Sequence, residues 1–183
     1  MKTLVVTDVQ RDFFSPEGSL SVAGGETLPA KIAEAAAEYD RIVFTLDWHP
    51  ADHCSFKSQG GIWPEHCVQY TQGAGLADEF TPLLKLGPEK VALYFKGWKK
   101  DEEQYGAFGD LTHDDTIIKW FKASDVIEIC GIAGDYCVKE TAALALAKTG
   151  TPDKIILRSD LIASIDDGRT LAAFVRENNL KLR

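Results

Sequence analysis

Short apolar runs recur along the chain, each followed by a segment with helical spacing, and this alternation constrains the fold most. Leu4–Thr7, Arg41–Leu46, Lys90–Phe95, Val126–Ile132 and Lys154–Leu157 are rich in β-branched and aromatic residues. The runs are continuous rather than alternating, as in strands of a parallel sheet covered on both faces. Between and after them, Leu28–Tyr39, Asp115–Ala123, Asp135–Lys148 and Gly168–Glu177 read as helices, and Leu180–Leu182 as a last edge strand. The pattern predicts an α/β fold, a three-layer αβα sandwich around a mostly parallel sheet of about six strands.

The 183 residues suit one domain over 1–183. Hydrophobic residues at 45% and charged residues at 26% are ordinary globular values and exclude a disordered or fibrous chain. Lys+Arg is 20 against Asp+Glu 28, a net charge of -8. An acidic chain with no basic run repels phosphate backbones, so no nucleic-acid partner is expected. No apolar stretch is long enough to cross a bilayer, and no membrane partner is expected. The run at Leu4–Val6 is too short for a signal peptide and is followed by Asp8. Four cysteines (54, 67, 130 and 137) without a CxxC pair suggest reduced thiols and a cytoplasmic location. There is no repeat, low-complexity tract or linker. One long segment, from Trp48 to about Phe80, breaks the alternation and holds many Gly, Pro, His and Trp residues. Loops of that length in compact domains are usually functional or disordered, and the two Trp residues of this one argue for order.

In open α/β sheets, ligands bind beyond the carboxyl ends of the strands. After the first strand comes Asp8, after the second Asp47 and then His49, and the third ends at Lys96-Gly97. The fourth runs into Gly131-Ile132-Ala133-Gly134-Asp135-Tyr136-Cys137 and then a helix. Two carboxylates, an imidazole, an amine and a thiol thus reach one edge of the sheet.

Each group also has an ordinary reading. A free cysteine is most often a small core residue, and Cys130, inside the fourth strand, fits that. Cys137 differs, because it enters a helix after a glycine-containing turn, where the helix N-terminus lowers a thiol pKa. The backbone N–H groups of such a turn can face a developing oxyanion. Asp8 could cap its turn, and Lys96 could be a solvated lysine. As functional groups they would be the base and the cation that a thiol nucleophile needs. Asp47 and His49 are two apart, on one face of an extended segment, and three of the four histidines lie in this region. One carboxylate with two imidazoles leaves open coordination positions, as catalytic zinc or ferrous sites do. His113 lies apart in a helix-entry segment and reads as surface.

These residues form a larger pattern. Asp8-Val9-Gln10-Arg11-Asp12-Phe13 resembles the opening motif of the isochorismatase-like cysteine hydrolases. Asp47-Trp48-His49-Pro50 with His53, Ser55 and Phe56 resembles that family's nicotinamidase branch, as does Trp63-Pro64-Glu65-His66-Cys67-Val68. Lys96-Gly97, Tyr105-Gly106-Ala107-Phe108 and Gly131–Val138 continue the resemblance, in order, across nearly the whole chain.

The resemblance implies the isochorismatase-like hydrolase fold and hydrolysis of nicotinamide to nicotinate and ammonia, or of pyrazinamide, through a thioester. It implies Cys137 as nucleophile, Asp8 as acid and base, and Lys96 as the third member of the triad. Asp47, His49 and His66 would hold one divalent metal, zinc first, with iron or manganese as alternatives. Phe13, Trp63, Tyr105, Ile132 and Tyr136 would form the pocket for a small aromatic carboxamide. A cis peptide at Ile132–Ala133 would aim the Ala133 and Cys137 N–H groups at the oxyanion. His53 is left out of the metal set. Gly134, Gly106 and Tyr70 depart from the residues common in relatives, which bears on pocket shape. A sister hydrolase acting on a carbamoyl or ureido compound is the main alternative, and a non-catalytic binding module a second. Oligomeric state stays open, a homo-oligomer being allowed.

Overall fold

The computed structural model describes residues 1–183. In chain order the elements are β1 (Lys2–Thr7), α1 (Arg11–Phe14), α2 (Leu28–Ala35), β2 (Arg41–Asp47), α3 (Thr81–Leu84) and β3 (Val91–Lys96). They continue with α4 (Thr116–Ala123), β4 (Val126–Ile132), α5 (Lys139–Thr149), β5 (Ile155–Ala163), α6 (Arg169–Glu177) and β6 (Lys181–Leu182). The strands form one six-stranded sheet in the order β3-β2-β1-β4-β5-β6, and every neighbouring pair is parallel. Parallel neighbours cannot be joined by a tight turn, so the connections cross the faces and carry the helices. The αβα expectation holds.

Side chains alternate across the sheet even though the strands read as continuous apolar runs. Leu4, Val6, Ile42, Phe44, Cys130 and Ile132 pack into one layer with Leu28 and Ile32 of α2. Val5, Val43, Ile127 and Ile129 pack into the other with Ile117, Ile118 and Phe121 of α4 and Ala142 and Ala145 of α5. Truncating Phe121, which is fully buried, to Ala would cost about 3–5 kcal/mol in transfer and cavity terms.

Three details differ from the sequence reading. The expected helix over 28–39 is α-helical only to Ala35 and finishes as a tighter turn over Ala36–Glu38. The third strand is not covered on both faces: β3 is an edge, with Leu93 and Phe95 exposed and Tyr94 and Lys96 buried. The fifth strand does not end at Leu157. It continues to Ala163 through Arg158, Ser159 and Asp160, whose polarity hides it in the sequence. Arg158 is accommodated because it donates to the Tyr39 hydroxyl (2.8 Å), Glu128 Oε2 (3.1 Å) and Asp160 Oδ2 (2.7 Å). A register shift against β4, between Ile129 and Gly131, absorbs the irregularity.

β1 and β4 are neighbours in the middle of the order, where the sheet's winding reverses. That switch point is where a crevice opens in such sheets.

Candidate active site

The sheet register brings the strand-end groups together. Asp47 and Lys96 are paired positions at the ends of β2 and β3. Thr45 pairs with Thr7, so Asp8 follows directly beside β2. The Asp8 N–H donates to the Thr45 carbonyl (3.2 Å), and Thr45 Oγ1 donates to Asp8 Oδ1 (2.6 Å). Lys96 Nζ then lies 2.5 Å from Asp47 Oδ1, 2.9 Å from Asp8 Oδ2 and 3.6 Å from Cys137 Sγ. One ammonium joins two carboxylates and a thiol. A carboxylate oxygen of Asp8 also lies within 4.8 Å of Cys137 Sγ. Asp8 and Lys96 are fully buried, which removes the ordinary readings of a turn cap and a solvated lysine.

Burial without compensation would be prohibitive for these charges, and the cluster compensates it. Burial alone would lower the Lys96 pKa, but Asp47 and Asp8 overcome it and hold the ammonium well above the ordinary lysine value. Burial would raise Asp47, but Lys96 and His49 hold its carboxyl well below the usual range. Asp8 goes the other way: burial dominates and, with help from the Asp47 charge, raises its carboxyl despite Lys96. The Cys137 thiol is also pushed up by burial, with Lys96 opposing. This corrects the expectation of a thiol acidified by its helix terminus. Cys137 does sit in a wide π-type turn over Gly134–Val138 leading into α5, and it is buried there.

The metal-ligating set also assembles. Ligand atoms of Asp47, His49 and His66 lie within 4.8 Å of one another. His49 Nδ1 donates to the Gly97 carbonyl (2.8 Å), and His66 Nδ1 donates to the Pro64 carbonyl (2.8 Å). With Nδ1 so engaged, each ring turns Nε2 towards the carboxylate, at 3.6 Å and 4.0 Å from Asp47 Oδ2. Backbone carbonyls that fix the tautomer in this way are the usual support of metal-bound imidazoles. The donor set fits a divalent cation that accepts nitrogen and oxygen ligands. Gly97 is needed here: its φ is +65°, and a Cβ would fall on the His49 ring.

A narrow cleft opens above these groups. Phe13, Trp63, Tyr105, Tyr136, Ala133 and Cys137 line it together with Asp47, His49 and His66. Trp63 stands edge-on to Tyr136 (ring centroids 5.0 Å apart), and its Nε1–H donates to the Tyr105 hydroxyl (3.0 Å). Such an aromatic lining suits one small planar ring. Ile132 does not line the cleft. As the last residue of β4 it points with Cys130 into the core layer, and only its neighbour Ala133 reaches the cavity. The Ile132–Ala133 peptide is cis, as expected.

The departures have local explanations. A Cβ at Gly134 would meet Ser164 Oγ and Ile162, which fill that space. One at Gly106 would meet Leu144 and the Glu140 carbonyl. Tyr70 is exposed and packs edge-on to Trp48, away from the cleft. His113 is exposed and Cys130 is buried, as read from the sequence.

Sequence reasoning missed several residues. Leu20, Val22, Glu103, Gln104 and Ile165 also line the cleft. Ile165 follows β5, and it would have been found had that strand been traced to its true end. Gln10 is buried and clamps Asp47: its side chain accepts from the Asp47 N–H and donates to the Asp47 and Ala74 carbonyls, all at 2.8 Å. Asp12 Oδ2 accepts from the Cys67 N–H (2.7 Å), next to His66. Both lie in the first motif, where only Asp8 and Phe13 were assigned roles.

The chain is similar to known proteins over nearly its whole length. The isochorismatase domain family matches residues 2–179. The nicotinamidase of Saccharomyces cerevisiae is 33% identical over 97% of this chain and 94% of its own length. The solved pyrazinamidase of Pyrococcus horikoshii in complex with zinc is 32% identical, with a TM-score of 0.81 over 100% of this chain and 98% of that one. The L. infantum PnC1 structure in complex with nicotinate is 30% identical, with a TM-score of 0.84 over 100% of this chain and 92% of that one. A parallel sheet with this strand order, a thiol at its switch point and a match over nearly the full length place the chain in the isochorismatase domain family.

Proposed function

We propose that this protein is a nicotinamidase that also accepts pyrazinamide: it hydrolyses a small aromatic carboxamide to the acid and ammonia through a thioester on Cys137. The observation that carries the reading is the single ammonium of Lys96 in contact with Asp8, Asp47 and Cys137 at the floor of an aromatic cleft.

Burial disfavours the charged form of both the Asp8 carboxyl and the Cys137 thiol. Asp8, the carboxylate beside the thiol, takes its proton when the carboxamide carbon is in place. Lys96 holds both groups and stabilises the thiolate as it forms. Sulfur attacks the carboxamide carbon, and the oxygen takes up negative charge against the Ala133 and Cys137 N–H groups. Losing one such donor typically costs about a hundred- to a thousandfold in rate. Asp8 returns the proton to the nitrogen, the C–N bond breaks and ammonia leaves. Asp8 then takes a proton from water, which attacks the thioester, and returns it to the Cys137 sulfur as the acid departs.

Asp47, His49 and His66 would hold the metal, zinc by the donor set and by the zinc-bound relative. When bound, it supplies a Lewis-acid position at the cleft floor that a ring nitrogen or a water can occupy. The aromatic walls of Phe13, Trp63, Tyr105 and Tyr136 hold the ring flat. The four free cysteines support a reducing compartment such as the cytoplasm. No helix is long and apolar enough to cross a membrane.

The deciding experiment is ammonia release from nicotinamide and pyrazinamide by the zinc-loaded protein, with Cys137→Ala alongside. Release by the parent and none by the folded variant is expected. No release from a folded, zinc-loaded parent, but release from a ureido or carbamoyl compound, would replace the reading with that of a sister hydrolase.

A further inference from the structure

His53 is fully buried beside the metal-ligating set but belongs to no ligand group. Its hydrogen bonds explain why. Nε2 lies 3.2 Å from the Glu102 carbonyl, which can only accept, so Nε2 carries the hydrogen. Nδ1 accepts from the Ser55 N–H (3.3 Å) and lies 2.7 Å from Ser55 Oγ. Both ring nitrogens are thus engaged by the protein, and neither is free for a metal. The ring face, in contrast, lies on His49: the two centroids are 4.2 Å apart at an interplanar angle of 35°. Phe56 sits edge-on to His49, His53 and His66 and closes the packing beneath them.

The Glu102 carbonyl belongs to the segment that follows β3. That segment supplies the Gly97 carbonyl that orients His49, and it carries Gln104 and Tyr105 of the cleft wall. It is stitched to the His53 turn by the Cys54 N–H donating to the Lys100 carbonyl (2.8 Å) and by the exposed Lys100–Asp52 pair. His53 provides the buried link of the three. Gln104 Oε1 in turn accepts from the Gly97 N–H (3.1 Å), closing the segment on itself.

We propose that His53 is a positioning residue with two separable duties: its ring face holds the His49 imidazole in its ligating orientation, and its Nε2–H ties the Gly97–Tyr105 segment, and with it the ring-pocket wall, to the metal site. The first duty acts on metal affinity and the second on substrate binding. The proposal rests on the nicotinamidase reading for its kinetic half only.

Two substitutions divide the duties. His53→Phe keeps a ring over His49 but loses the Glu102 bond. His53→Gln keeps an N–H₂ that can reach Glu102 but loses the ring. Zinc affinity is measured by competition with a chromophoric chelator, and KM by ammonia release at saturating zinc. His53→Gln is expected to weaken zinc by about ten- to a hundredfold, the usual cost of removing support from a metal ligand, with KM within about twofold of the parent. His53→Phe is expected to raise KM by roughly tenfold, with zinc affinity within about threefold. Folded variants that both match the parent overturn the proposal, as do variants that shift both quantities equally. A parent that binds no zinc overturns the metal set and the proposal together. A parent that binds zinc without releasing ammonia overturns the nicotinamidase reading and leaves the zinc half to stand or fall on His53→Gln. If neither ring variant folds, Ser55→Ala decides: weaker zinc binding supports the role, and parental zinc binding with parental KM overturns it.

Discussion

Two kinds of support meet in the cleft, and they differ in what holds the reacting groups. Asp8, Asp47 and Lys96 end paired parallel strands, so the backbone ladder sets their spacing before any side chain acts. His66, Trp63 and His53 come from the long segment after β2, which contains only short turns and isolated bridges. There the work falls to side chains that bond to backbone: Gln10 on Ala74, Asp12 on Cys67, and His53 on Glu102. A strand end delivers a group by register. A loop delivers one only if buried polar groups satisfy its backbone.

The largest effect that would test this contrast is at Lys96. Lys96→Met leaves Asp8 and Asp47 buried together without their cation. It should destabilise the protein by about 3–5 kcal/mol, by analogy with the removal of one partner from buried ion pairs, and abolish ammonia release. Urea unfolding and a fixed-time assay check both. A variant of parental stability would mean that the strand ends alone hold the carboxylates.

Gln10→Ala strikes at the side-chain clamp and orphans the Asp47 N–H together with two carbonyls. Stability should fall by about 1–3 kcal/mol. Zinc affinity should fall by about tenfold or more, since Asp47 loses its support. Parental affinity for zinc would show that the β2 ladder suffices for Asp47.

The two carboxylates themselves predict opposite pH effects in the metal-free protein. The Asp47 carboxyl is lowered on folding, so its contribution is present above the ordinary aspartate value and is lost as pH falls below it. The Asp8 carboxyl is raised, so its contribution is greatest at low pH and is lost as pH climbs from the ordinary value through the raised one. Asp47→Asn should therefore flatten the acid limb of a stability–pH curve, and Asp8→Asn should remove a decline on the neutral side. Curves unchanged by either substitution would contradict these directions. The smallest effect is at the exposed Lys100–Asp52 pair: Lys100→Ala should leave stability and KM at parental values, because water screens such pairs.

Much of this was legible in the chain. The strand ends named Asp8, Asp47, Lys96 and Cys137 because parallel strands deposit their last residues at one edge. Tyr105, Trp63 and His66 came from motif likeness, not from pattern, since a loop has no period to read. Ile132 was misplaced into the pocket for a simple reason: a one-residue step along a strand turns a side chain to the other face. Ile165 was missed because the polar Arg158–Asp160 stretch hid the true end of β5, and Gln10 and Asp12 because their roles depend on backbone groups far along the chain.

The sequence by itself determined the sheet, its parallel sense and which groups meet at its edge, because local runs and their spacing encode those. Only the tertiary structure decided the protonation bias of those groups. Asp8 and Asp47 are the same residue type at the same kind of strand end, yet one carboxyl is raised and the other lowered. The difference lies in how completely Lys96 and His49 repay the burial of each, and those distances exist only once β1, β2, β3 and the loop after β2 have closed around them.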